Sequence, residues 1–182
     1  MNFLNKQNRK ALYSARRLAL CAMLCAAALV IFTIEAQIPS IVPVPGVKLG
    51  LANIITLFAL IYLTPGETLM ILVARILFGA VFAAQPMLIP YSLCGGVLCL
   101  LGEYVLIKLC GKKFIAEISI VGAILHNIGQ TCFAAFSVKS LSVFTYLPIL
   151  IISAAITGLF CGLCVMFADK KCGAKFAAFL KG

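Results

Sequence analysis

The sequence predicts an all-α integral membrane protein, a single domain over residues 1–182 built as a bundle of six transmembrane helices, and three observations carry that prediction. First, 64% of the 182 residues are hydrophobic and 11% are charged, with a mean hydropathy of +1.16, which lies outside the soluble globular range. Second, the apolar runs reach bilayer length, roughly 20 residues each. Third, the basic residues are unevenly placed. Lys6, Arg9, Lys10, Arg16 and Arg17 precede the first apolar run, Lys108, Lys112 and Lys113 fill one connection, and Lys170, Lys171, Lys175 and Lys181 close the chain. The connections expected on the other side hold only Lys48 and Lys139. By the positive-inside rule both termini are therefore expected in the cytoplasm. The net charge of +10 is explained in the same way, without nucleic acid as a partner.

Each element has its own signals. Residues 1–10 form a basic cytoplasmic flank, and helix one is expected over residues 11–34, too long an apolar stretch for a cleavable signal peptide. On it Ala15 and Ala19, and Ala22 and Ala26, recur at a spacing of four, a small-residue stripe that lets another helix approach closely, either within this chain or from a separate protein. Pro39, Pro43 and Pro45 forbid a regular helix through residues 35–46. Helix two is expected to start near Val47 and to stop at Thr64-Pro65-Gly66. Helix three carries Glu67 in its first turn, favourable to the dipole, and continues to residue 84, where Gln85-Pro86 and Pro90 break it. Helix four is expected over 91–109, helix five over 118–138 and helix six over 146–168. The tail, 169–182, pairs four lysines with Phe176, Phe179 and Leu180 and is expected to lie as an amphipathic segment on the inner membrane surface.

The polar residues inside apolar segments are the candidate site. Residues 43–53 (PVPGVKLGLAN) place prolines, glycines, Lys48 and Asn53 at the start of helix two. A helix N-terminus there would turn unpaired N–H groups and a positive dipole end toward an anion. Arg75, near the middle of helix three, is costly in a bilayer unless it meets ligand, water or a counter-charge. Its two readings are ligand contact and an ion pair with Glu35 or Glu103. His126 and Gln130 share one face of helix five with Asn127 beside them, as a hydrogen-bonding pocket wall or as interhelical glue. Tyr91, Ser92 and Gly95-Gly96 are weaker candidates for a remaining wall. The expected ligand set is thus Lys48, Asn53, Arg75, His126, Asn127 and Gln130.

No catalytic constellation is present. The sequence has no Walker A motif, no aspartate-rich diphosphate site and no metal-ligand spacing, so neither an enzyme nor a cofactor or metal is expected. Most of the nine cysteines lie in apolar helices, and Cys161-Gly-Leu-Cys164, although a CxxC, has no second pair and reads as helix packing.

PGVKLGLANI (45–54), Arg75 followed by Phe78-Gly79, YSLCGG (91–96) and GAILHNIGQ (122–130) together resemble the Gx transporter family, also labelled heptaprenyl diphosphate synthase component I. That family is similar in size and layout to the substrate-binding S components of energy-coupling factor (ECF) vitamin transporters. The resemblance implies a bacterial cytoplasmic membrane protein, surrounded by membrane lipid, that captures a small polar or anionic molecule from the outer side. It also implies that Ala15, Ala19, Ala22 and Ala26 contact an ECF-type coupling subunit that works with ATPases. The alternative, true to the older label, is a non-catalytic membrane component of a polyprenyl diphosphate synthase in quinone biosynthesis.

Overall fold

The computed structural model describes residues 3–37 and 50–181, with side chains described over 15–35 and 50–180. Six α-helices follow one another: α1 (Phe3–Gln37), α2 (Asn53–Tyr62), α3 (Pro65–Phe82), α4 (Leu88–Cys110), α5 (Ile115–Val138) and α6 (Leu147–Lys181). They run alternately up and down, so α1 begins and α6 ends at the same end of the bundle, called the termini end below. Five helices are long and apolar enough to cross a membrane, which makes this a multi-pass membrane protein. Their outward faces carry large apolar residues such as Leu109, Phe136 and Val138. In lipid this costs nothing, because acyl chains are as apolar as leucine and the helices associate through packing and polar contacts instead.

α2 differs from the expectation. Helix two was expected from Val47, yet its ten residues rise only about 15 Å, half of a hydrocarbon core of about 30 Å. Its C-terminus lies where expected, because Leu63 ends it and Thr64 starts α3 with a full capping box: the Thr64 side chain accepts from the Glu67 N–H while the Glu67 carboxylate accepts from the Thr64 N–H. α2 therefore begins part-way through the bundle. There the Asn53 and Ile54 N–H groups donate to the Gly50 and Leu51 carbonyls, and the Gly50 N–H donates to Glu35 Oε1 at 2.6 Å. Of the N–H groups expected to be unpaired at this helix start, those of Gly50, Asn53 and Ile54 are thus taken by Glu35 and by the turn itself.

Further boundaries move. Helix one, expected over 11–34 after a flank of residues 1–10, is helical over Phe3–Gln37 because no glycine or proline interrupts it before Pro39, and α5 starts at Ile115 rather than at 118. Pro90 sits inside the first turn of α4 rather than before it, where a missing N–H breaks no helical bond. The tail expected to lie apart as a surface segment continues α6 without a break to Lys181. The reason is contact: Phe176 packs edge-on to Phe58 at 5.2 Å and against Tyr62 at 5.7 Å, and Tyr62 donates a hydrogen bond to Asp169.

Close helix crossings set the frame of the bundle. A Cβ on Gly129 would stand 2.8 Å from the Cys94 carbonyl oxygen and 2.9 Å from Gly95 Cα, and one on Gly158 would stand 2.8 Å from Ile120 Cα. Such distances are closed to any side chain, so α4, α5 and α6 meet backbone to backbone. Ala15, Ala19, Ala22 and Ala26 do not take part in this packing; all four are exposed on α1. Core residues including Leu57, Ile71, Ile118 and Val165 fill the space between α2 and its neighbours.

Candidate functional site

A cavity of about 70 Å³ lies between the helices. Every helix contributes to its wall: Phe32 and Glu35 from α1, Asn53 from α2, Arg75 from α3, Ser92 and Glu103 from α4, Ser119, His126, Asn127 and Gln130 from α5, and Thr157 and Cys161 from α6. Five of the six residues expected from sequence to bind ligand, Asn53, Arg75, His126, Asn127 and Gln130, are thus brought to one space. Lys48, the sixth, lies outside the described residues. Of the weaker candidates only Ser92 lines the cavity. Gly95 and Gly96 are packing positions, the first against His126 and Gln130 and the second against Leu72.

Arg75 is the centre of the site. It is 8% exposed and its Nε–H has no hydrogen-bond partner. Glu35 lies close enough for its charge to act on Arg75, yet among the described residues the ion pair formed is Arg17–Glu67, not one of Arg75 with Glu35 or Glu103. The ion-pair reading of Arg75 is therefore not what the structure adopts. Glu103 is 2% exposed, and its Oε2 has no partner. It fits only because α5 has Gly122 opposite, where a Cβ would stand 2.5 Å from Glu103 Oε1.

The face on α5 divides by role. The Asn127 amide donates to the Leu150 carbonyl at 3.0 Å, so that side chain ties α5 to α6 as well as lining the cavity. His126 Nδ1 is buried without a partner, and Gln130, 8% exposed, turns its methylene toward Gly95. A site with one guanidinium, two carboxylates, an imidazole and three amides can bind a polar molecule through directed hydrogen bonds, while low local dielectric strengthens each of them.

Ser119 and Thr157 are wall residues that sequence reasoning did not single out, and Cys161, read from its CxxC as helix packing, lines the wall as well. Isolated hydroxyls and thiols in apolar helices are common as packing groups, and Thr157 indeed bonds the Ser153 carbonyl of its own helix. The cavity also collects Glu35 and Glu103, noticed in the sequence only as possible partners of Arg75.

Comparison with known proteins found no match among curated proteins or among solved structures. A family model does match, over residues 24–168, from α1 through most of α6 and across every element that lines the cavity. The chain belongs to the heptaprenyl diphosphate synthase component I family.

Proposed function

We propose that the protein is a substrate-binding membrane subunit, of the S-component kind, that takes a small polar or anionic molecule into the Arg75 cavity from the outer side for uptake. The observation that carries this reading is Arg75 itself: a buried guanidinium inside a membrane bundle, with no ion pair to Glu35 or Glu103, facing a polar cavity shared by all six helices. A charge left so within a bilayer marks a functional site by default. Arg75, Asn53, His126 and Gln130 hold the ligand, Asn127 helps while bracing α6, and Lys48 at the approach to α2 attracts it. The basic flanks support the reading that both termini face the cytoplasm of a bacterial cell. The exposed alanines 15, 19, 22 and 26 on α1 offer a flat face to a coupling subunit driven by ATPases.

The test is to purify the protein in mild detergent and identify, by native mass spectrometry and extraction, the small molecule that travels with it, in wild type and in Arg75→Ala. A water-soluble compound present in wild type and lost in the variant supports capture. Cysteine labelling at position 48 from outside checks the direction; an inaccessible site sinks uptake from that side.

The family's description favours a second reading, a non-catalytic membrane component of a heptaprenyl diphosphate synthase. It predicts that the extracted molecule is a prenyl diphosphate or quinone and that deletion changes the length or amount of quinone side chains. Unchanged quinones would dismiss it.

A further inference from the structure

A binder of simple anions would surround its cation with neutral donors, as the sequence suggests for Arg75. The folded cavity does something else. It brings two carboxylates, Glu35 and Glu103, to the same wall as Arg75. Glu35 has one oxygen held by the Gly50 N–H. Glu103 is more deeply buried, and its Oε2 has no partner at all. Arg75 on α3 and Glu103 on α4 are thus a guanidinium and a carboxyl group, both more than nine-tenths buried, on helices that contact one another. Each is unfavourable alone in a low-dielectric interior, and direct pairing is the ordinary remedy. They do not pair.

Resting on the reading of this cavity as a ligand site, we infer that the ligand is dipolar: it offers an anionic, hydrogen-bond-accepting group to Arg75 and a cationic or N–H donating group to Glu103. A ligand that is only an anion would satisfy the Arg75 Nε–H and leave the Glu103 Oε2 acceptor without a donor. A ligand that is only a cation would meet Arg75. A molecule carrying both groups satisfies the two buried atoms at once, and the His126 imidazole with the Asn53 and Gln130 amides supplies neutral contacts between its poles. At the start of α2 the turn itself uses the N–H groups of Asn53 and Ile54. Arg75 is left as the main seat for the negative end.

The experiment measures thermal unfolding of the full-length protein in mild detergent at constant pH. The probes are acetate, inorganic phosphate, methylammonium, and the straight-chain zwitterions glycine, β-alanine, γ-aminobutyrate and ε-aminocaproate. The expected result is a saturable rise in Tm with at least one zwitterion, where acetate and methylammonium, alone or mixed, give none. Glu103→Gln, nearly isosteric and so expected to fold, weakens that response by about tenfold or more, the scale of one hydrogen bond to a charged group; Arg75→Lys weakens it too. If acetate or phosphate stabilises as well as any zwitterion and Glu103→Gln leaves or tightens that binding, the dipolar inference is overturned while capture through Arg75 stands. No response to any probe also overturns the inference, and the extraction experiment then decides the capture reading separately.

Discussion

At the termini end of the bundle Arg17 meets Glu67 at 2.6 Å, Glu67 closes the capping box of α3, Tyr62 donates to Asp169, and the Lys112 ammonium lies 5.1 Å over the Tyr62 ring. At the cavity, Arg75 Nε, Glu103 Oε2 and His126 Nδ1 are buried without partners. The residue types are nearly the same in both regions, and the treatment is opposite. Where polar groups close on one another they fasten α1 to α3 and α2 to α6. Where they stay apart, the fold carries the cost of buried polar atoms without partners. Those of Arg75, Glu103 and His126 belong to residues that line the cavity, whereas Thr56 Oγ1, also without a partner, lies elsewhere on α2.

Four variants test that division. The largest expected effect is at Arg75. Arg75→Ala removes the guanidinium and is expected to lower affinity for the co-purifying molecule by about a hundredfold or more, as for loss of charge-assisted hydrogen bonds in a dry pocket; retention measured by mass spectrometry in wild-type amounts would erase the distinction between the two regions. Next is Asp169→Ala, which removes the charged acceptor of the half-buried Tyr62 hydroxyl and is expected to cost about 1–3 kcal/mol in thermal or denaturant unfolding with no loss of ligand. A loss of ligand without destabilisation would show that the termini end belongs to the site.

Glu67→Ala cuts both the Arg17 pair and the α3 cap. The pair is partly exposed, at 21% and 23% for its two side chains, so the expected cost is modest, about 1–2 kcal/mol, and most of it comes from the cap. A double variant with Arg17→Ala that adds nothing further would confirm this share. The smallest effect on the ligand-free protein is expected from Glu103→Gln. Replacing this buried carboxyl by a nearly isosteric amide should leave the melting temperature close to unchanged, since Oε2 has no hydrogen bond to lose. A clear drop in stability would mean that Glu103 is held by the fold after all and would move it from the site to the frame.

Much of this arrangement was readable in advance, though unequally. The positions of α3 through α5 follow from local signals. Thr64-Pro65-Gly66 is both a stop and a cap, Gln85-Pro86 ends a helix, and Lys139 takes the left-handed conformation at φ 52° just after α5, all within a residue or three of where the pattern places them. The short α2 was not readable, because an apolar run such as LANIITLFALIYL looks the same whether the helix starts at its beginning or several residues later. Its start depends on a tertiary bond, the Gly50 N–H to Glu35, between residues that the sequence separates by a proline-rich stretch. That the tail continues α6 was not readable for a related reason. Lysines alternating with Phe176 and Phe179 fit a membrane surface as well as a protein one, and only Phe58 and Tyr62 on α2 decide between them.

By itself the sequence determined that the chain is a membrane bundle and that Asn53, Arg75, His126, Asn127 and Gln130 are out of place in lipid. The bilayer imposes this: charges and amides in hydrocarbon are costly enough that their presence is informative without any structure. Only the tertiary structure decided which polar groups answer one another. Asn127 finds Leu150 and Tyr62 finds Asp169, whereas Arg75 and Glu103 share a cavity and do not meet. Those outcomes turn on ångström-scale helix approach, set by glycines such as Gly122 and Gly129 whose partners lie on other helices, and no local pattern in one strand of sequence encodes the distance between two of them.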